Sequence, residues 1–134
     1  MIGRVSKNLE RHRFRRLWIA SGWGILAAII WLSLTPTPPK VEFEHGDKLG
    51  HLVAYGTLMF WFCQLYEQRW TRTAYAMTFC AMGIALEFVQ GALGYRTYEE
   101  LDMLANALGV LIGWAIALAS GPRLFARIER LIRD

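Results

Sequence analysis

Four apolar blocks of 18 to 20 residues, Leu17–Leu34, Leu49–Tyr66, Ala74–Leu93 and Met103–Ser120, fill more than half of this 134-residue chain. At about 1.5 Å of rise per residue, each helical block is near the length that crosses about 30 Å of hydrocarbon. The connections between them are short and hold too little polar surface to cover four such blocks in water. The pattern predicts an all-α membrane protein, with four transmembrane helices packed as an antiparallel bundle over residues 17–120. A basic arm, 1–16, precedes the bundle, and a basic tail, 121–134, follows it.

Charge orients the chain. Arg4, Lys7, Arg11, Arg13, Arg15 and Arg16 precede the first block, Arg69 and Arg72 lie between the second and third, and Arg123, Arg127, Arg130 and Arg133 follow the fourth. These are twelve of the fifteen basic residues, all on one side of the predicted membrane. Lys40, Lys48 and Arg96 fall on the other side with Glu42, Glu44, Asp47, Glu99, Glu100 and Asp102. Lys and Arg are retained on the cytoplasmic side, so both termini are expected there. The basic residues flank hydrophobic helices without interleaved aromatics, which points to anionic lipid headgroups and away from nucleic acid.

The basic start followed by an apolar block has the form of a signal peptide. Thr35-Pro36-Thr37-Pro38-Pro39 stands where a cleavage site would be, so a retained first helix is expected. The prolines also end that helix. Cys63 and Cys80 sit one per block near the inner side, where a structural disulfide is not expected. Tyr95 and Tyr98 suit the outer interface, and Trp18, Tyr66 and Trp70 the inner one. In the tail, Leu124, Phe125, Ile128, Leu131 and Ile132 alternate with four arginines at helical spacing, predicting an amphipathic helix on the cytoplasmic surface.

Polar residues at membrane depth are costly, and here they gather at one end. Asp47, His51 and Tyr55 are four apart and form a stripe descending about 12 Å, with Lys48 beside it at the entrance. Glu87 and Gln90 share a face of the third helix, with Glu87 roughly 9 Å deep. An ionised, unpaired carboxylate there costs on the order of 3 kcal/mol, so His51, Lys48 or Arg96 is the expected partner. Asp102, Asn106, Gly109 and Gly113 trace one face of the fourth helix, and the two glycines permit close helix approach within the bundle.

These residues resemble the VanZ-like membrane proteins, a family named for a bacterial protein associated with resistance to the glycopeptide teicoplanin. The matching pieces are Ser33-Leu34-Thr35-Pro36, Asp47-Lys48 with His51 and Tyr55, Glu87 with Gln90, Arg96 with Asp102, and Asn106 with Gly109, from about Trp31 to Gly113. The resemblance implies a polytopic membrane protein whose shared polar residues gather near the outer face. It implies no settled mechanism.

The polar set has three readings. As a pocket lined by Asp47, Lys48, His51, Tyr55, Glu87, Gln90, Arg96, Asp102 and Asn106, it would bind a headgroup, with Lys48 and Arg96 for anions and the carboxylates for hydroxyls or amines. Expected partners are membrane lipids and a lipid-linked envelope precursor or lipoglycopeptide. As a packed network it would instead fix the bundle. As an enzyme it would use His51 or Glu87 as general base on a lipid or peptidoglycan-precursor headgroup, but no Gly-x-Ser-x-Gly, His-Glu-x-x-His or P-loop accompanies them, so no catalytic residue is assigned. His45, Asp47, His51, Glu87 and Asp102 include metal-ligating types at a spacing that matches no ligand motif, so no metal or cofactor is expected.

Overall fold

Polar residues are favourable in the first turn of a helix, where backbone N–H groups lack intrahelical partners, so helices here begin before their apolar blocks do. The computed structural model describes residues 2–39, 45–94, 97–121 and 124–133. Among these are five helices and no strand: α1 (Ile2–Leu34), α2 (Gly46–Leu65), α3 (Arg69–Leu93), α4 (Glu100–Ser120) and α5 (Leu124–Arg133). Helices α2 and α4 start three residues ahead of the expected blocks and α3 five, which brings Asp47 and Asp102 into first turns. The basic arm is the first part of α1, which runs unbroken into the apolar segment. Residues 40–44 of the acidic linker, Tyr95, Arg96, Pro122 and Arg123 lie outside the described residues.

Three helices contain stretches long and apolar enough to cross a membrane: Phe14–Leu34, Arg69–Leu93 and Glu100–Ser120. Helix α2, diluted by Asp47, Lys48, His51 and Gln64, is not among them. It is instead the enclosed helix, with Tyr55, Leu58, Met59, Phe62 and Cys63 all buried in the core alongside Ile29, Phe79, Val110 and Ala117. Phe62 meets Phe79 edge-on at 5.2 Å and Tyr75 at 4.6 Å, and such aromatic pairs add to plain area burial.

The most extensive helix contact joins α2 to α4, elements that are not neighbours in sequence. Glycines make it possible. A side chain at Gly113 would overlap the carbonyl of Gly56, and one at Gly109 would overlap the carbonyl of Leu52. The expected close approach at Gly109 and Gly113 is therefore an internal one, completed by Gly56 on α2. Contacts advance together along both helices, from Lys48 with Asp102 through His51 with Asn106 to Gly56 with Gly113, so the pair crosses in the same chain direction.

At the other end of α2, Arg72 closes the turn into α3. Its Nε donates to Tyr66 O and its Nη2 to Cys63 O, both at 2.7 Å, satisfying carbonyls that the helix end leaves unpaired. Nearby, α5 seats Phe125 between Trp18 and Trp61, with ring centroids at 4.3 and 4.9 Å. The amphipathic helix expected at the surface is thus also docked on the protein.

Candidate functional site

The crossing of α2 and α4 sets the site. Because both helices start with charged residues and advance in step, their first turns lie side by side, which places Lys48 and His51 against Asp102 and Asn106. Lys48 Nζ donates to Glu99 Oε2 at 2.6 Å and lies 3.6 Å from Asp102 Oδ1. His51 Nε2 lies 3.6 Å from Asp102 Oδ2, and His51 Nδ1 lies 3.0 Å from Asn106 Oδ1. The tautomer with its proton on Nδ1 donates to that oxygen, and a second proton on Nε2 makes the contact with Asp102 an ion pair.

Helices α3 and α1 close the network from the other side. Glu87, 1% exposed, accepts the backbone N–H of Glu99 on Oε1 at 2.9 Å. Gln90 Nε2 donates to Ser33 O at 2.7 Å, which ties the Ser33-Leu34-Thr35-Pro36 end of α1 to α3. Of the cations named as partners for Glu87, Lys48 and His51 face Glu99, Asp102 and Asn106, and Arg96 is outside the described residues. Glu99, half-exposed at the start of α4, has its carboxyl held below the ordinary range by the hydrogen bond from Lys48 and then by that ammonium's charge.

A cavity of about 210 Å³ adjoins this network without being lined by most of it. It lies between the end of α1 and the start of α2, with walls from Ile29, Leu32, Pro38, Pro39 and Ala54. Asp47, His51 and Tyr55, the predicted stripe, supply its polar side together with Ser33. Asp47 is exposed, His51 half-buried and Tyr55 buried. His51 and Ser33 are shared by cavity and network, His51 through its ring and Ser33 through the carbonyl that accepts from Gln90. Lys48, Glu87, Gln90, Asp102 and Asn106 belong to the network alone among the described contacts.

Sequence reasoning missed three participants. Glu99 reads as a surface acid, although its place three residues before Asp102 at a helix start was a signal. Ser33 contributes a backbone carbonyl, which no side-chain pattern announces. Gly83 makes room for Asn106, whose Nδ2 would lie 2.9 Å from a Cβ at that position. Among the described residues, no three or more His, Cys, Asp or Glu side chains gather in a way that could hold a metal ion.

The sequence pattern of the VanZ/LLP1 family matches residues 4–125. Solute carrier family 28 member 3 of Mus musculus is 30% identical over 109 residues, which is 79% of this chain and 14% of that protein. The Rattus norvegicus protein of the same name is 30% identical over 112 residues, 81% of this chain and 15% of its own length. Uncharacterized protein C11E3.10 of Schizosaccharomyces pombe is 27% identical over 94 residues, 68% of this chain and 58% of that protein. The chain therefore spans about a seventh of the two solute carriers and under two thirds of the third relative. No solved structure matches it. With every residue of the polar network inside the matched segment, the chain belongs to the VanZ/LLP1 family of proteins.

Proposed function

We propose that this is a four-span protein of the bacterial cytoplasmic membrane, with both termini cytoplasmic, whose outer face binds an amphiphile without transforming it. The amphiphile is a lipid-linked component of the cell envelope or a lipoglycopeptide such as teicoplanin. Helix α2 is the fourth span in this reading: its 20 residues rise about 30 Å, and a helix enclosed by neighbours tolerates polar residues that one facing lipid does not. The one-sided distribution of arginine and lysine supports the orientation.

The observation that carries the reading is the cavity between α1 and α2. Apolar walls with Asp47, His51 and Tyr55 along one side match a molecule that has both an acyl or aryl part and a hydroxyl or amine. The network behind the cavity supports binding over catalysis. Lys48 is engaged by Glu99, His51 by Asn106, and buried Glu87 does not line the cavity, so the two candidate bases do not converge on one ligand position.

Gly50 lines the cavity, and open space extends beyond its Cα. Gly50→Leu should occupy cavity volume, its Cβ meeting nothing within 4 Å. A strain expressing the wild-type chain should show a change in susceptibility to teicoplanin and none to vancomycin, which lacks the lipid tail. Gly50→Leu should abolish that change at unaltered membrane abundance. Full retention by Gly50→Leu would sink the cavity as the binding site, and no change with the wild-type chain would remove lipoglycopeptides as the ligand. A new lipid or peptidoglycan-precursor species in the envelope would instead favour an enzyme.

A further inference from the structure

Helix α5 uses only one edge of its apolar face to dock. At about 100° per residue, Leu131, Leu124, Ile128, Ile132 and Phe125 fall on a continuous arc, with Phe125 at one end and Glu129 just beyond it. It is this edge that meets the protein. Phe125 is 8% exposed between Trp18 and Trp61, Glu129 Oε1 accepts from Trp18 Nε1 at 3.1 Å, and Trp61 Nε1 in turn donates to Trp18 O at 3.0 Å. Leu124 and Ile128 in the middle of the arc are half-buried, whereas Leu131 is 79% exposed and Ile132 64%. Arg127, at the other edge of the arc, and Arg130 behind it are both exposed.

We propose that α5 is a foot that binds the surface of an anionic bilayer while Phe125 holds it to the α1 and α2 junction. The free part of the arc enters the boundary between headgroups and acyl chains. Arg127 and Arg130 reach lipid phosphates from the same helix, as cationic side chains flanking an inserted apolar face do. Charge complementarity selects the occupant: Arg127 and Arg130 outnumber Glu129, whose carboxylate is turned inward to Trp18. A leaflet carrying net negative lipid attracts such a basic segment near its surface. Trp18 lies within the apolar stretch Phe14–Leu34, so docking on it holds α5 beside a span and near the membrane surface. The docking contacts leave the arginines free to find phosphate without undocking the helix.

The test is amide hydrogen exchange on the full chain reconstituted in nanodiscs, one set of phosphatidylcholine alone and one with a third of the lipid as phosphatidylglycerol. The segment 124–133 should exchange several-fold more slowly in the anionic discs, while the core segment of α2 exchanges alike in both. The double variant Arg127→Gln with Arg130→Gln should remove the difference between the lipids. Leu131→Ser with Ile132→Ser should speed exchange of α5 in both. Equal exchange of wild-type α5 in the two compositions would overturn the proposal, as would a difference that survives loss of both arginines. Neither result depends on the outer-face cavity.

Discussion

Replacing Gly113 by alanine tests the crossing on which the site depends. The added Cβ would overlap Gly56 O and stand 2.8 Å from the Gly56 carbonyl carbon and 2.9 Å from its Cα. Carbon atoms pack at about 3.5 Å or more, and the overlapped oxygen is closer still, so α2 and α4 must part locally by about 1 Å. Overpacking of a core costs about 1–3 kcal/mol, and the upper end applies here because the obstructing atoms are backbone with no rotamer to change. Alanine recovers about 1 kcal/mol of helix propensity, leaving a net loss of about 2 kcal/mol, or nearly thirtyfold in the unfolding equilibrium. Gly24→Ala is the control: nothing lies within 4 Å of its added Cβ, so the same propensity should appear as a gain. Reversible unfolding by dodecyl sulfate in mixed micelles, followed by tryptophan fluorescence, reads both. If Gly113→Ala matched or exceeded the wild type, the α2 and α4 contact would not be the backbone-close crossing described here.

The other perturbations probe the site and the helix ends. Gly83→Ala should displace Asn106 and lengthen the 3.0 Å contact with His51, moving the His51 ring nitrogen resonances while leaving helix content unchanged; a wild-type His51 spectrum would count against the network. Arg72→Gln leaves the carbonyls of Cys63 and Tyr66 without their charged donor, which should cost about 1.5–3 kcal/mol in the same unfolding assay, with Arg72→Lys recovering part. The Glu99 carboxyl is lowered in the folded state by Lys48, so the pair contributes fully above the ordinary value of 4.5 and is lost as pH falls through the lower folded value. Lys48→Met should therefore lower stability modestly at neutral pH, since the pair is half-exposed, and leave the strongly acid end unchanged, which flattens the acid side of the profile.

The apolar blocks announced the all-α membrane architecture because hydropathy is local and each helix carries its own share. Helix starts at Gly46, Arg69 and Glu100 were less legible, since polar first turns look like loops to a hydropathy reading. Asp47, His51 and Tyr55 share the cavity that their four-residue spacing suggested, and Lys48, His51, Asp102 and Asn106 do meet. What stayed hidden belongs to pairs of elements. The need for glycine at positions 56 and 83 comes from the carbonyl or amide opposite, and the cavity's walls come from Ile29, Leu32 and two prolines that carry no polar mark.

The same geometry separates two jobs that the sequence merged into one constellation. Polar groups that touch one another, from Lys48 to Gln90, tie α1, α2, α3 and α4 together. Polar residues that line open volume are fewer, Ser33, Asp47, His51 and Tyr55. His51 belongs to both sets, so a ligand that hydrogen-bonds its ring competes with Asp102 and Asn106 for the same nitrogens. On the proposed function, binding in the cavity is thereby expected to be coupled to the α2 and α4 crossing. A substitution at Asn106 should change ligand affinity although Asn106 does not line the cavity, whereas one at Gln90, which is tied only to Ser33 among the described contacts, should change stability first.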